Sequence, residues 1–202
     1  MSPVLEAYVD AGSPNVYLAI KALGPILERT GAQLVLKPAL LGGIFKATGN
    51  IAPFFTYQKV KGRLDYERLE IERFTRQHGL HRFRWTSHFP PNTVLTMRAA
   101  VAAERSGEVA RFMEAALCAI WEQDVDLSDE TALTRILTDA GLDAEALIES
   151  ARSEDTKKAL FDRTQQAVDR GVFGMPTFFV GPEMFFGKDR LAQVEDALLK
   201  AS

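Results

Sequence analysis

The order of the predicted strands and helices constrains the fold of this chain more than any other feature. Residues 3–9 are rich in β-forming side chains and predict a strand. Ser13 and Pro14 are typical of a helix start, and the apolar spacing that follows predicts one helix to about residue 30. Residues 33–38 predict a second strand. Because the connections are short, these elements form a βαβ unit with two parallel strands.

Between residues 40 and 171 the strand pattern nearly disappears and the spacing of apolar residues becomes helical. The predicted helices span residues 63–79, 93–107, 109–122, 129–141, 144–153 and 153–171. The residues at the expected helix ends agree with this prediction. Glycines stand at four of the expected ends and serines at two of the expected starts. These residues are Gly79, Gly107, Gly141, Gly171, Ser128 and Ser153.

Two short strands then return, at residues 176–180 and 184–186, and a helix from residue 189 to 201 follows them. A βαβ unit followed by a ββα unit is the thioredoxin arrangement. We therefore predict an α/β, thioredoxin-like protein with a large helical block inserted between its halves. We assign residues 1–40 and 172–202 to the thioredoxin-like domain and residues 41–171 to a helical insertion domain.

Composition narrows the classes of function. The chain has 202 residues, 47% of them hydrophobic, which is typical of a globular protein with its own core. A net charge of −3 argues against a nucleic-acid partner. No apolar run is long enough to span a bilayer, and no signal-like segment begins the chain, so we expect a cytoplasmic protein without a membrane partner.

The cysteine and histidine content excludes two kinds of site. Cys118 is the single cysteine, so the chain has no CxxC redox pair and no cysteine-rich zinc site. We expect Cys118 to be a buried structural thiol. His78, His81 and His88 lack metal-ligand spacing, so we expect no metal.

Ser13 is the first candidate for chemistry, because it follows the first strand at a helix N-terminus. As a structural residue, it would cap that helix. As a functional residue, it would lie beside exposed N–H groups that stabilise an anion and lower the pKa of a thiolate. This turn has no cysteine, so such a thiolate must arrive on a ligand. No adjacent histidine supports a serine hydrolase.

Two further segments allow both a structural and a functional interpretation. Pro176 fits the start of a strand, where statistics favour a trans peptide bond, whereas the Met175 backbone is free to pair with a peptide-like ligand. Asp189 would cap the last helix or bind an ammonium group. Lys46, in the connection after the second strand, is either solvated or functional.

Five segments, in order along the chain, resemble 2-hydroxychromene-2-carboxylate isomerases and kappa-class glutathione transferases. The first is the D-x-x-S-P-x-x-Y-L-A pattern at residues 10–19. The others are residues 46–53, 89–92, 173–177 and 186–190. The resemblance spans essentially the whole chain and implies the DsbA-like branch of the thioredoxin fold.

The resemblance implies a glutathione site. Ser13, in the place where DsbA-like oxidoreductases carry Cys-Pro-x-Cys, would hydrogen-bond the sulfur of glutathione. The Met175 backbone would pair with the cysteinyl part, ahead of a cis Pro176, and Asn50 would contact the tripeptide. The γ-glutamyl end would be held by a segment in which Asp189 binds the ammonium group. That segment consists of Phe186, Gly187, Lys188 and Asp189.

The substrate half of the site departs from the pattern. Lys46 corresponds to a lysine that faces the substrate carboxylate in the isomerases. Those of naphthalene breakdown carry an Asn-Arg pair after the proline that matches Pro53, whereas Phe54, Phe55 and Thr56 follow it here. Loss of the arginine removes a bidentate partner for a carboxylate.

The expected function is therefore a glutathione-dependent isomerase in aromatic hydrocarbon catabolism, acting on 2-hydroxychromene-2-carboxylate or a related small aromatic acid. The product would be the trans-benzylidenepyruvate, formed by reversible thiolate addition. One alternative is a kappa-like glutathione transferase that conjugates electrophiles, and another is a non-catalytic thioredoxin-fold binding protein. A homodimer is an expectation from the family.

Overall fold

A mixed four-stranded sheet organises the chain. The computed structural model describes residues 2–201, which contain four strands and eleven α-helices. The strands are β1 (Val4–Val9), β2 (Gln33–Pro38), β3 (Thr177–Val180) and β4 (Glu183–Phe186). The helices are α1 (Pro14–Ala22), α2 (Gly24–Thr30), α3 (Leu41–Thr48), α4 (Pro53–Tyr57), α5 (Arg63–Gln77), α6 (Val94–Arg105), α7 (Val109–Trp121), α8 (Glu130–Asp139), α9 (Ala144–Arg152), α10 (Glu154–Asp169) and α11 (Leu191–Lys200).

The sheet topology confirms the predicted α/β thioredoxin-like fold. The strand order is β2-β1-β3-β4, with β1 parallel to β2 and antiparallel to β3. Tyr8, near the end of β1, pairs with Thr177, the first residue of β3. The turn after β1 and the segment before β3 therefore meet at one edge of the sheet.

The helices differ from prediction at three places. The single helix expected after Ser13 is two helices, because Pro25 lies in the first turn of α2 and cannot continue α1. The connection expected around Lys46 contains α3, which ends at Gly49, and α4 follows shortly after it. The sequence did not predict α3, because residues 42 and 43 are glycines and glycine disfavours helices. Gly43 is required by packing, since a Cβ there would lie 2.9 Å from Thr164 of α10.

Most of the predicted helix ends are confirmed. The four glycines expected at helix ends have φ angles between 67° and 92°, in the left-handed region. Ser153 caps α10 by accepting a hydrogen bond from the backbone of Thr156. The prediction for Ser128 is wrong, because Asp129 caps α8 instead. Asp189 caps no helix, since it lies inside a short 3-10 turn that precedes α11.

One continuous hydrophobic core joins the sheet to the helices of residues 41–171. Trp121 of α7 is fully buried, and its indole N–H donates to the carbonyl oxygen of Ala11, 2.8 Å away. The division into two domains at residues 40 and 172 stays a prediction. Its terminal residues, 1 and 202, lie outside the described residues.

The buried carboxylate of Asp10 fixes the turn after β1. Its Oδ1 accepts hydrogen bonds from the backbone N–H of Gly12 at 2.9 Å and the hydroxyl of Thr93 at 2.7 Å. Its Oδ2 accepts from the backbone N–H of Leu41, 2.8 Å away. Burial raises the pKa of Asp10, and these three donors oppose the rise. The carboxylate thus connects the turn to the first residue of α3 and to the residue before α6.

We expect Asp10→Asn to destabilise the protein by about 1–3 kcal/mol. An amide has only one acceptor oxygen, so its NH2 group would face at least one of the three hydrogen-bond donors that contact Asp10. Urea unfolding measures the change. Asp143→Asn is the matched control, since the exposed Asp143 caps α9 and asparagine caps equally well. Equal stability of the two variants would contradict the role of Asp10.

Candidate functional site

Ser13 lies at the N-terminus of α1 and is 4% exposed. Its Oγ accepts a hydrogen bond from the backbone N–H of Val16 at 3.3 Å, so the predicted N-cap is confirmed. The same hydroxyl donates to the carbonyl oxygen of Met175, 3.4 Å away. The cap therefore also joins α1 to the segment before β3, and it places a hydroxyl donor beside that backbone.

The peptide bond between Met175 and Pro176 is cis, as the resemblance implies and contrary to the statistical preference. The carbonyl oxygen of Pro176 accepts a hydrogen bond from the backbone N–H of Gly187, 2.9 Å away. Ser13, Met175, Pro176 and Gly187 thus form one connected group, although they come from three separate parts of the sequence.

Asn50 joins the same region from the other side. Its side-chain N–H donates to the carbonyl oxygen of Phe173 at 2.7 Å, and its Oδ1 accepts from the backbone of Ile51 at 2.8 Å. The ring of Phe186 lies 4.5 Å from the ring of Phe173 and packs on Gly174, where an added Cβ would be 2.8 Å from Phe186. Both residues therefore contact the segment that ends at Met175.

Lys188 and Asp189 form an ion pair of unequal burial. The Lys188 side chain is 7% exposed, and its ammonium lies 4.8 Å from the ring centre of Phe74 in α5. It also lies 2.5 Å from Asp189 Oδ1, on a side chain that is 66% exposed. Asp189 thus presents a carboxylate to solvent, held by a buried cation.

Lys46 lies elsewhere. It is exposed on α3 and lines a groove with residues of α6 and α10. None of the residues that we assign to glutathione lines that groove. The predicted site residues therefore separate into one connected group near Ser13 and a lysine on a neighbouring surface.

An aromatic cluster beside the turn was missed by the sequence analysis. Phe89 packs against Trp85 and Phe54, with ring centres 5.7 and 5.2 Å apart. Trp85 also contacts Trp121, whose indole binds the turn at Ala11. Trp85 is 43% exposed. The sequence signal for this cluster was the high density of aromatic residues between positions 83 and 89. The cluster offers an apolar surface on which a planar ligand could stack.

A second missed feature is a group of charged side chains beneath α1. Glu122 is buried and accepts a hydrogen bond from Tyr17 at 2.9 Å, and Arg82 lies 3.0 Å away.

Cys118 is half-buried, less than expected, with its sulfur 3.1 Å from the ammonium of Lys21. Burial raises the pKa of the Cys118 thiol to about 11. Cys118 is therefore a poor nucleophile at neutral pH.

Two kinds of site are absent from the described part of the chain. Residues 2–201 contain no cluster of three or more histidine, cysteine, aspartate or glutamate side chains that could hold a metal ion. No α-helix in the same range is both long enough and apolar enough to cross a bilayer.

Comparison with known proteins identifies the family of this chain. The family model of the DsbA-like thioredoxin domain matches residues 4–199. A 2-hydroxychromene-2-carboxylate isomerase of Sphingobium xenophagum is 30% identical over 98% of this chain and its own entire length. Glutathione S-transferase kappa 1 of Rattus norvegicus is 28% identical over 93% of this chain and 87% of its own.

Solved structures show the same fold. A 2-hydroxychromene-2-carboxylate isomerase superposes with a TM-score of 0.85 at 24% identity, covering 98% of this chain and 95% of its own. A probable DsbA oxidoreductase from Streptomyces coelicolor superposes with a TM-score of 0.75 at 16% identity, covering 98% and 89%. Because the family model covers residues 4–199 and the isomerase of Sphingobium xenophagum is 30% identical over nearly the whole chain, the chain belongs to the DsbA-like thioredoxin family and, within it, to the family of the 2-hydroxychromene-2-carboxylate isomerases.

Proposed function

We propose that this protein is a glutathione-dependent isomerase of 2-hydroxychromene-2-carboxylate or a related small aromatic acid. The observation that carries the proposal is the position of the Ser13 hydroxyl, at a helix N-terminus and 3.4 Å from the backbone of Met175. The relatives named as isomerases and as kappa glutathione transferases support it.

The residues near Ser13 fit an extended tripeptide. The Met175 backbone lies beside Ser13, so it can pair with the cysteinyl part of the ligand. Asn50 lies next to this segment, and the exposed carboxylate of Asp189 suits the ammonium group of a γ-glutamyl end. Buried Lys188 forms an ion pair with Asp189. It also adds a positive charge near the carboxylate of the γ-glutamyl end.

Glutathione, when bound, supplies a thiolate that adds reversibly to the substrate and is released unchanged. Ser13 donates its hydroxyl hydrogen to the sulfur instead of to Met175, and the N-terminus of α1 stabilises the negative charge. Both effects lower the pKa of the bound thiol. Since Cys118 is mostly protonated, the protein contributes no competing thiolate of its own.

The aromatic cluster supports a planar substrate. Phe54, Trp85 and Phe89 lie beside the turn that carries Ser13, so a ring stacked on them would be close to the thiolate. This wall would orient the substrate and exclude water from the reacting carbon. Aromatic hydrocarbon catabolism, such as naphthalene degradation, a cytoplasmic location and a homodimer are parts of the same proposal.

A second candidate is a kappa-like glutathione transferase, which would use the same thiolate but keep it in the product. Phe54 and Phe55 favour it, because they stand where the isomerases of naphthalene breakdown carry an Asn-Arg pair, and Phe55 is 49% exposed. An apolar surface there accepts uncharged electrophiles as readily as acids.

The two activities differ in their use of glutathione. We expect 2-hydroxychromene-2-carboxylate to be converted to the trans-benzylidenepyruvate while the total glutathione concentration stays constant, as followed by absorbance and by thiol assay. Stoichiometric loss of glutathione with a generic electrophile, and no turnover of the chromene acid, would assign the transferase instead. Failure to bind glutathione at all would favour the non-catalytic binding protein.

Ser13→Ala should lower kcat/KM by about 10- to 100-fold, the effect of losing one hydrogen bond to a charged group. Ser153→Ala is the matched control, because Ser153 caps α10 in the same way and contacts none of the site residues. Each variant should lose about 1 kcal/mol of stability with its cap. Equal turnover by both variants would leave Ser13 with a structural role only.

Asp189→Ala should weaken glutathione binding by about 10- to 100-fold, measured by calorimetry, because the ammonium group loses a charged partner. The melting temperature should also fall, because Asp189 caps no helix but is the ion-pair partner of buried Lys188, so binding is measured well below the unfolding transition. Asp196→Ala, which removes an exposed carboxylate from α11, should leave the affinity unchanged. An unaltered dissociation constant for Asp189→Ala would exclude its proposed role.

The raised pKa of Cys118 gives a test by alkylation. At constant iodoacetamide, the modification rate should keep rising with pH up to 9.5 without a plateau, because the thiol titrates near 11. In the urea-unfolded chain the rate should be half-maximal near the ordinary cysteine pKa of about 8.5 and should approach its plateau about one pH unit above it. A plateau below pH 9 in the folded protein would show that Cys118 is a reactive thiolate after all.

A further inference from the structure

The buried carboxylate of Glu122, directly after α7, is not used by the proposed reaction. Its side chain is 6% exposed. Oε1 accepts a hydrogen bond from the hydroxyl of Tyr17 at 2.9 Å, and Oε2 lies 3.0 Å from Nε of Arg82. The ammonium of Lys21 and the thiol of Cys118 also contact Oε1, at 3.5 and 3.4 Å. A buried carboxylate is stable only with such partners, so its position fixes theirs as well.

Tyr17 connects this carboxylate to the helix that carries Ser13. The two residues are four positions apart, so they lie one turn from each other on the same face of α1. Tyr17 is 1% exposed, and burial together with Glu122 raises the pKa of its hydroxyl, which therefore stays protonated and donates. If Glu122 moved away, α1 would move with it or a buried hydroxyl would lose its acceptor.

Arg82 connects the same carboxylate to the segment that carries the aromatic cluster. Residues 78–93 join α5 to α6 without a helix or a strand of their own, so individual contacts decide where they lie. Besides the pair of Arg82 with Glu122, the backbone N–H of Arg84 donates to the carbonyl oxygen of Trp121, 2.8 Å away. Two neighbouring residues at the end of α7 therefore anchor this segment.

The ring of Phe83 completes the connection between the two. Its centre lies 5.6 Å from the ring centre of Tyr17 and 5.9 Å from that of Trp85. It also stacks on Trp121, with ring centres 6.1 Å apart. One continuous set of contacts thus runs from α1, through Glu122 and Phe83, to the exposed ring of Trp85.

We propose that Glu122 is a positioning residue, which acts through Tyr17 and Arg82 to fix the aromatic cluster relative to the N-terminus of α1. This rests on the proposed function, which places the substrate between Trp85 and a thiolate held by Ser13. The rate of a reaction between two bound partners depends steeply on their separation, and a misplacement of about 1 Å costs about 100-fold. Glu122 itself touches neither partner and sets only the distance between them.

Glu122→Gln keeps an acceptor for Tyr17 but loses the charge that holds Arg82. We expect it to lower kcat by about 10- to 100-fold, whether the protein isomerises the chromene acid or conjugates chlorodinitrobenzene. The dissociation constant of glutathione should stay unchanged, because the backbone groups assigned to glutathione do not depend on Glu122. Tyr17→Phe removes only the hydroxyl and should lower kcat in the same direction.

Glu114→Gln is the matched control. Glu114 lies on the same face of α7, two turns before Glu122, and pairs with the same Lys21. Within residues 2–201 it forms no ion pair or hydrogen bond with Tyr17 or Arg82. Its substitution should therefore leave kcat at the wild-type value.

Acrylamide quenching of tryptophan fluorescence tests the same connection without glutathione or substrate. Of the two tryptophans, Trp121 is fully buried and Trp85 is 43% exposed, so acrylamide quenches mainly Trp85. Glu122→Gln should raise the quenching constant, because residues 78–93 lose an anchor, whereas Glu114→Gln should not change it.

A folded Glu122→Gln variant with wild-type kcat would overturn the proposal and leave Glu122 with a structural role only, even if urea unfolds the variant earlier. Wild-type quenching in that variant would overturn it as well. If Glu122→Gln does not fold, Tyr17→Phe carries both tests. Absence of glutathione binding and turnover in the wild-type protein contradicts the proposed function instead, and the quenching result still shows whether Glu122 holds the aromatic cluster.

Discussion

The buried carboxylate of Asp10 is the interaction on which the rest of the site depends. It accepts hydrogen bonds from the turn after β1, from the start of α3 and from the residue before α6. These three segments are distant in the sequence, and the first two carry Ser13 and Lys46. Both oxygens of a buried carboxylate need hydrogen-bond donors. Burial of the Asp10 carboxylate is therefore favourable only when all three segments supply theirs. One side chain thus fixes the helix N-terminus on one side and the groove on the other.

The site itself is an arrangement of backbone groups more than of side chains. Ser13 contacts the backbone of Met175, Gly187 contacts the backbone of Pro176, and Asn50 contacts the backbone of Phe173. Such an arrangement suits a peptide-like ligand, which offers backbone groups in return. The charged residues lie at the periphery, where Asp189 faces solvent and Lys188 holds it from below.

Much of the fold was predictable from sequence because its signals are local. The first strand is rich in β-forming side chains, the glycines at positions 79, 107, 141 and 171 end helices, and Ser153 begins one. Helix α3 was missed because the reason for Gly43 is its contact with Thr164, which no local pattern records. Likewise, sequence patterns suggested Ser13 and Asp189 one by one, whereas the contact of Trp121 with Ala11 and the position of Lys46 in a groove lined by α6 and α10 depend on tertiary packing.

The central claim is that this fold supplies the environment for a thiolate and leaves the thiol itself to glutathione. The most direct measurement is the pH titration of glutathione bound to the wild-type protein, followed by the ultraviolet absorbance of the thiolate. The account predicts a pKa about one to two below that of free glutathione, so that thiolate absorbance at neutral pH rises on binding. A bound thiol that titrates at the same pH as free glutathione would contradict it.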